Sequence, residues 1–187
     1  MQFAQQVGAS TSVGAIFGLS EPLSGVHVLP RMFSSEDIRR ILTVQGVKSH
    51  HDEDDGHHVG KEKPSRLPWV AARIRPYVRT FRPGSLRTHS VDEWMKLYRL
   101  QAGRGAVIPH QDRDFDGPDG SRALYSILVY LNDDYAGGET VFNGKTPAPH
   151  AGVGGGLLFR HDILHEGLVV QSGEKFVLKT DLFLRSI

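Results

Sequence analysis

Two histidines and an aspartate stand where they could share a metal ion. His110 and Asp112, in the run Pro109-His110-Gln111-Asp112, are two positions apart, and side chains two apart on an extended segment leave it on the same side. His165, in Leu164-His165-Glu166-Gly167, lies far downstream and joins them if its strand folds back beside the first. Two imidazoles and one carboxylate on one face leave the other positions of a ferrous ion open, the arrangement through which non-haem iron handles oxygen. With ten histidines in 187 residues, a His-x-Asp pair also arises by chance. What decides between the two readings is the sequence around the three residues.

Between them lie Tyr130-Leu131-Asn132-Asp133 and Gly137-Gly138-Glu139-Thr140-Val141-Phe142, and Gly173-Glu174-Lys175 places a lysine ten positions after His165. In this order, from about Trp94 to Arg185, the chain resembles the Fe(II)/2-oxoglutarate-dependent dioxygenases, specifically their prolyl-4-hydroxylase-like branch. The resemblance implies a double-stranded β-helix of the jelly-roll or cupin kind. It implies that His110, Asp112 and His165 are the catalytic metal ligands, that the metal is Fe(II), and that 2-oxoglutarate and O2 are cosubstrates. The reaction would hydroxylate an unactivated C–H bond and release succinate and CO2. Asp112 speaks against halogenation, for which related enzymes carry a small residue at this place.

Lys175 stands where this branch has the lysine that holds the far carboxylate of 2-oxoglutarate, and Tyr130 where relatives have a tyrosine sharing it. A buried carboxylate needs a cation and hydrogen-bond donors around it, which gives both residue types a reason. Without the resemblance they read as a turn lysine and a core aromatic. Tyr98 and Leu128 are further candidates for contact with the cosubstrate, although Tyr98 precedes His110 by more residues than in relatives.

The chain departs from the family pattern on its last strand. Lys175, Val177, Lys179, Asp181 and Phe183 share a face by alternation, where relatives more often carry Thr, Asn or Trp. Lys179 and Asp181 then either satisfy each other or border a polar or charged substrate, and Lys179 is an alternative anchor for the cosubstrate. Arg122, on the face of Leu128 and Tyr130 by alternation, and Arg113, directly after the ligand pair, are further substrate candidates. For both, a salt bridge at the rim is the plainer role.

These residues need strands to position them, and the second half of the chain supplies them. Short runs rich in β-formers are expected over Trp94 to Gln101, Val107 to His110, Ala123 to Leu131, Thr140 to Phe142, Gly156 to Phe159, Gly167 to Gln171 and Phe176 to Leu184, separated by Gly, Pro and Asp turns. Such spacing fits a sandwich or a jelly roll. Asp114 to Gly120 is expected as a flexible rim. The first half reads differently. Val26 to Leu29 predicts a short strand ending at Pro30, and Ser34 with Asp37 forms a capping box before a helix stopped by Gly46. Pro68 opens a second helix, which Pro76 is expected to kink or break. The fold class is therefore mainly β with N-terminal helices (α+β). One dioxygenase domain over 1–187 is expected, with a helical, buttressing part over 1–93 and a jelly-roll core over 94–187.

Bulk properties exclude some classes. Lys plus Arg number 22 and Asp plus Glu 21, a net charge of +1, so charge alone makes no case for nucleic acid or an acidic membrane. There is no cysteine, so disulfides and thiolate metal sites are excluded. Met1 to Ser20 lacks the basic and apolar regions of a signal peptide, with a strand along Val13 to Leu19 as one reading, and a cytoplasmic protein is expected. His50 to His58, with four histidines and four acids, is expected as a solvated loop, the alternatives being a lid and a metal site.

The expected function is oxidation of a polar small molecule, a free amino acid or a natural-product intermediate, with a peptidyl-prolyl residue as the alternative. A non-catalytic jelly-roll binding protein is the reading from another class. A nucleic-acid demethylase of the AlkB type uses the same metal face. Its arginine pair after the distal histidine is missing here, where Lys175 and Lys179 stand and only Arg185 follows.

Overall fold

The structure is a computed structural model and describes residues 24–44, 64–104 and 106–187. The expectations for Val13 to Leu19, for Gly46 and for His50 to His58 fall outside these residues. In chain order the elements are β1 (Val26–Leu29), α1 (Ser35–Val44), β2 (Ser65–Arg66), α2 (Pro68–Val78), β3 (Leu86–Val91), β4 (Trp94–Gln101), β5 (Val107–His110), β6 (Phe115–Asp116) and β7 (Arg122–Tyr130). There follow β8 (Ala136–Gly137), β9 (Thr140–Phe142), β10 (Thr146–Pro147), β11 (Gly156–Arg160), β12 (His165–Gly167), β13 (Val170–Ser172) and β14 (Glu174–Ser186).

The large sheet runs β1-β11-β7-β14-β4-β2, with β3 on β14 and β6 on β7, and the small one runs β10-β9-β12-β5. All their pairings are antiparallel. Residues from both sheets line one cavity, Tyr98, Leu128 and Lys179 from the large sheet and His110, Thr140 and His165 from the small one. The two sheets therefore face each other across it, as in a jelly roll.

Alternation along the strands separates two apolar regions. On β7, Tyr125, Ile127 and Val129 turn outward, and on β14 so do Leu178, Leu182 and Leu184. They pack with Ile38 and Ile41 of α1 and with Val70, Ile74 and Val78 of α2. The helices thus cover the outer face of the large sheet, as expected. A smaller cluster, Val26, Phe142, Leu157 and Phe159, fills one end of the space between the sheets. Gly156 in β11 has to be glycine, because a Cβ there would lie 2.0 Å from the carbonyl oxygen of Leu128 on β7.

The cap of α1 follows its sequence. The Ser34 hydroxyl accepts the Asp37 N–H at 3.1 Å, while Asp37 Oδ2 accepts the Ser34 N–H at 3.0 Å. Arg73 of α2 reaches the same aspartate at 3.1 Å, and the Arg40 guanidinium lies 4.3 Å from the centre of the Trp69 ring, so α1 and α2 are tied by charge and stacking. Pro76 does not break α2, which continues to Val78. The proline sits within the last turn and forfeits only one backbone bond there.

Two other expectations are corrected. The strand expected over Gly167 to Gln171 is two strands, since after Gly167 the chain leaves β9 and resumes against β8 as β13. The rim loop Asp114 to Gly120 carries a strand, β6, paired with the start of β7. No helix among the described residues is long and apolar enough to cross a membrane.

Candidate metal centre and its pocket

His110 ends β5 and His165 begins β12, and the antiparallel register sets them directly opposite each other. Asp112 follows β5 and is held by its backbone N–H, which donates to the His161 carbonyl at 2.9 Å. One ligand atom from each of His110, Asp112 and His165 lies within 4.8 Å of the others. His110 Nε2 is 3.8 Å from Asp112 Oδ1, and His165 Nε2 is 3.6 Å from Asp112 Oδ2.

The opposite nitrogen of each ring is already committed. His110 Nδ1 lies 2.8 Å from the Ile108 carbonyl and His165 Nδ1 3.0 Å from the Ile163 carbonyl. A carbonyl can only accept, so each Nδ1 carries a proton, which leaves each Nε2, on the side of Asp112, as the nitrogen able to ligate a metal. Burial pushes the His165 imidazole toward its neutral form, and that outweighs the pull of Asp112. For Asp112, burial alone would raise the pKa, but Lys179, the Ser126 hydroxyl and His165 together hold it below the usual carboxylate value. The neutral form favoured at His165 and the charged carboxylate favoured at Asp112 are the forms in which these groups ligate a divalent first-row metal.

The cavity beside these residues is lined by Tyr98, Leu128, Thr140, Val177, Lys175 and Lys179, among others. Lys175 is only 3 % exposed. Its ammonium donates to the Gly138 carbonyl at 2.6 Å and lies 5.2 Å from the centre of the Tyr130 ring. No carboxylate is bonded to it among the described residues, and burial pushes its pKa down to about 8, against a weaker opposite pull from Glu139.

No family model matches the chain, and no curated protein matches it in sequence. Solved structures do match. The collagen prolyl hydroxylase of Paramecium bursaria Chlorella virus-1, in its 2OG complex, is 15 % identical over 87 % of this chain and 96 % of that one, with a TM-score of 0.57. A Burkholderia pseudomallei oxidoreductase of the 2OG-Fe(II) oxygenase family is 18 % identical over 85 % of each chain, with a TM-score of 0.56. A Trichoplax adhaerens prolyl hydroxylase, in complex with a hypoxia inducible factor oxygen degradation domain peptide, is 13 % identical over 85 % of this chain and 83 % of its own, with a TM-score of 0.63.

The chain has the 2OG-Fe(II) oxygenase fold.

Within this oxygenase fold the remaining candidates fall into three groups. Tyr98 and Leu128 line the cavity with the two histidines, and burial raises the Tyr98 pKa. Tyr130 lies on the far side of Lys175, its hydroxyl 2.9 Å from Thr140 Oγ1, in an adjoining cavity that Lys175 and Thr140 also line. Lys179 and Asp181 point inward, as alternation predicted, and pair at 3.1 Å, but Lys179 also lies 3.4 Å from Asp112 Oδ1. Burial alone would lower the Lys179 pKa; Asp181 and Asp112 together outweigh it and hold it above the usual lysine value.

Arg122 is corrected. An extra residue in β7 shifts the register between Leu182 and Phe183, so Arg122 stands opposite Leu184 and not on the face of Leu128 and Tyr130. It pairs with Asp116 at 3.2 Å and Asp114 at 3.7 Å, a rim contact. Arg113 is exposed.

Three residues that sequence reasoning passed over complete the centre. The Ser126 hydroxyl donates to Asp112 Oδ2 at 2.5 Å, and Thr140 receives the Tyr130 contact. His161, 1 % exposed, sits between Asp181 at Nε2 and Asp114 at Nδ1, both at 3.2 Å. Ser126 was legible, being two positions from Leu128 on the face already singled out. His161 carried no such signal, because its position depends on how the turn after β11 returns beneath Asp112.

Proposed function

We propose that this chain is an Fe(II)- and 2-oxoglutarate-dependent dioxygenase, one catalytic domain that hydroxylates an unactivated C–H bond of a polar substrate. The observation that carries the reading is the convergence of His110, Asp112 and His165 with both outer imidazole nitrogens tied to backbone carbonyls. That pattern orients lone pairs for a metal, whereas a histidine pair kept for packing has no need of it. The residues fit the ion. Bound there, ferrous iron with 2-oxoglutarate and O2 supplies the oxidising power, through decarboxylation of the cosubstrate to succinate and CO2.

The rest falls to side chains. Lys175, buried and without a carboxylate, would receive the far carboxylate of 2-oxoglutarate, with the Tyr130–Thr140 hydroxyl pair beside it. Lys179 is a poorer anchor, since Asp112 and Asp181 already occupy its ammonium. Tyr98, Leu128 and Val177 would wall the cosubstrate and keep water from it. Lys179, paired with Asp181, lines the cavity beside the metal ligands, and a polar small molecule such as a free amino acid suits that charged lining.

One observation favours a second reading. The Trichoplax protein with this fold holds a peptide, so a prolyl residue in a polypeptide is the alternative substrate. Succinate release, measured with Fe(II), 2-oxoglutarate and either free amino acids or proline-containing peptides, separates the two. Stimulation by peptides alone would overturn the small-molecule assignment. A protein that binds neither metal nor 2-oxoglutarate would overturn the enzyme itself and leave a jelly-roll binding protein.

A further inference from the structure

We infer that Lys179 sets how tightly the site holds its divalent cation, keeping the affinity below what two imidazoles and a carboxylate reach alone, so that occupancy follows the metal supply. The inference rests on reading His110, Asp112 and His165 as ligands and adds a regulator to that site. The Lys179 side chain is 14 % exposed, with its ammonium 3.4 Å from Asp112 Oδ1. A metal ion arriving at Asp112 meets a fixed cation that already draws on the same carboxylate. Two cations drawing on one carboxylate repel, and water screens them poorly in a buried site.

Lys179 is not free to swing aside. Asp181 holds it from the other side at 3.1 Å, and His161 holds Asp181 at 3.2 Å. His161 is in turn buried against Asp114 at 3.2 Å. The chain Asp112, Lys179, Asp181, His161, Asp114 thus alternates carboxylates with nitrogen groups from the metal face to the rim.

An opposite effect has to be weighed. Partners behind a metal ligand orient it, and losing one commonly weakens metal binding about ten- to a hundredfold. Asp112 does not depend on the lysine for that. Ser126 donates to Oδ2 at 2.5 Å, and the Asp112 N–H donates to the His161 carbonyl at 2.9 Å. With orientation secured elsewhere, repulsion decides the sign.

Anaerobic titration of the whole chain with Co(II), followed by the visible absorption of the bound ion, measures affinity without turnover. Lys179→Met is expected to bind Co(II) about tenfold or more tightly than the wild type. Lys179→Arg keeps the charge and should stay close to the wild type, and Lys179→Met with Asp181→Asn, which removes one charge of each sign, should fall back toward it. Equal or weaker binding by Lys179→Met, or a double variant as tight as the single one, would overturn the inference. Should Lys179→Met not fold, Asp181→Asn alone gives the converse test. It leaves the ammonium to Asp112 and should weaken Co(II) binding, and an unchanged affinity would refute the charge argument. A wild-type chain that takes up no Co(II) would instead show that the metal site itself is misassigned.

Discussion

Replacing Lys175 by methionine should stabilise the protein while disabling it. Lys175 is 3 % exposed, its ammonium is bonded to one carbonyl, and its pKa falls from 10.5 to about 8. Each factor of ten in a protonation equilibrium is worth about 1.4 kcal/mol, so holding this lysine charged at pH 7 costs the fold about 3 kcal/mol. Methionine removes that cost in nearly the same volume. It also strips the Gly138 carbonyl of its donor, and an unpaired buried carbonyl costs about 1–2 kcal/mol. The net gain is about 1–2 kcal/mol, a rise in melting temperature of roughly 2–8 °C for a chain of this size.

The sign with pH is fixed by linkage. The fold binds this proton more weakly than the unfolded chain does, so wild-type stability rises with pH from about 8 toward 10.5. The advantage of Lys175→Met is therefore full below about pH 8 and shrinks across that window. The same variant should bind 2-oxoglutarate roughly ten- to a hundredfold more weakly, since one charged hydrogen-bond partner is gone. Wild-type affinity for 2-oxoglutarate should likewise decline as pH rises through about 8. Differential scanning calorimetry at pH 7 and pH 10, with calorimetric titration of 2-oxoglutarate into Mn(II)-loaded protein, measures both. A variant that melts below the wild type at pH 7, or that binds 2-oxoglutarate equally well, would refute the assignment of Lys175 as an unpaired buried cation awaiting a carboxylate.

Other substitutions should separate the metal face from the scaffold. His165→Ala should abolish Co(II) uptake, read by visible absorption, while the circular dichroism spectrum stays that of the wild type. Ser126→Ala removes the hydroxyl from Asp112 Oδ2 and should weaken Co(II) binding about tenfold, with an unchanged Kd counting against an orienting role for Ser126. Gly156→Ala would press a methyl group against the Leu128 carbonyl and should lower stability by about 2 kcal/mol or more in chemical denaturation, with the loss falling on the β7–β11 pairing.

Much of this was legible because strand geometry is local. Alternation placed Lys175, Val177, Lys179 and Asp181 on one face of β14, and β4, β5 and β9 end where their residue types predict. The Ser34–Asp37 cap likewise depends only on residues close in sequence. What failed on the strands needed a partner strand. Arg122 left its predicted face because β7 carries one residue more than β14 opposite it, and a bulge of that kind is invisible in either strand alone. The split of the expected strand after Gly167 has the same origin, since its second half finds β8 in place of β9.

By itself, then, the sequence determined which side chains could serve a metal and a carboxylate, and on which faces of their own strands most of them lie, because backbone stereochemistry settles those matters within a few residues. Only the tertiary structure decided that His110 meets His165 across β5 and β12, that Lys179 comes to rest against Asp112, and that His161 closes the network behind Asp181. Those meetings depend on register and on returning turns, which the pairing of distant strands sets and no short stretch of chain contains.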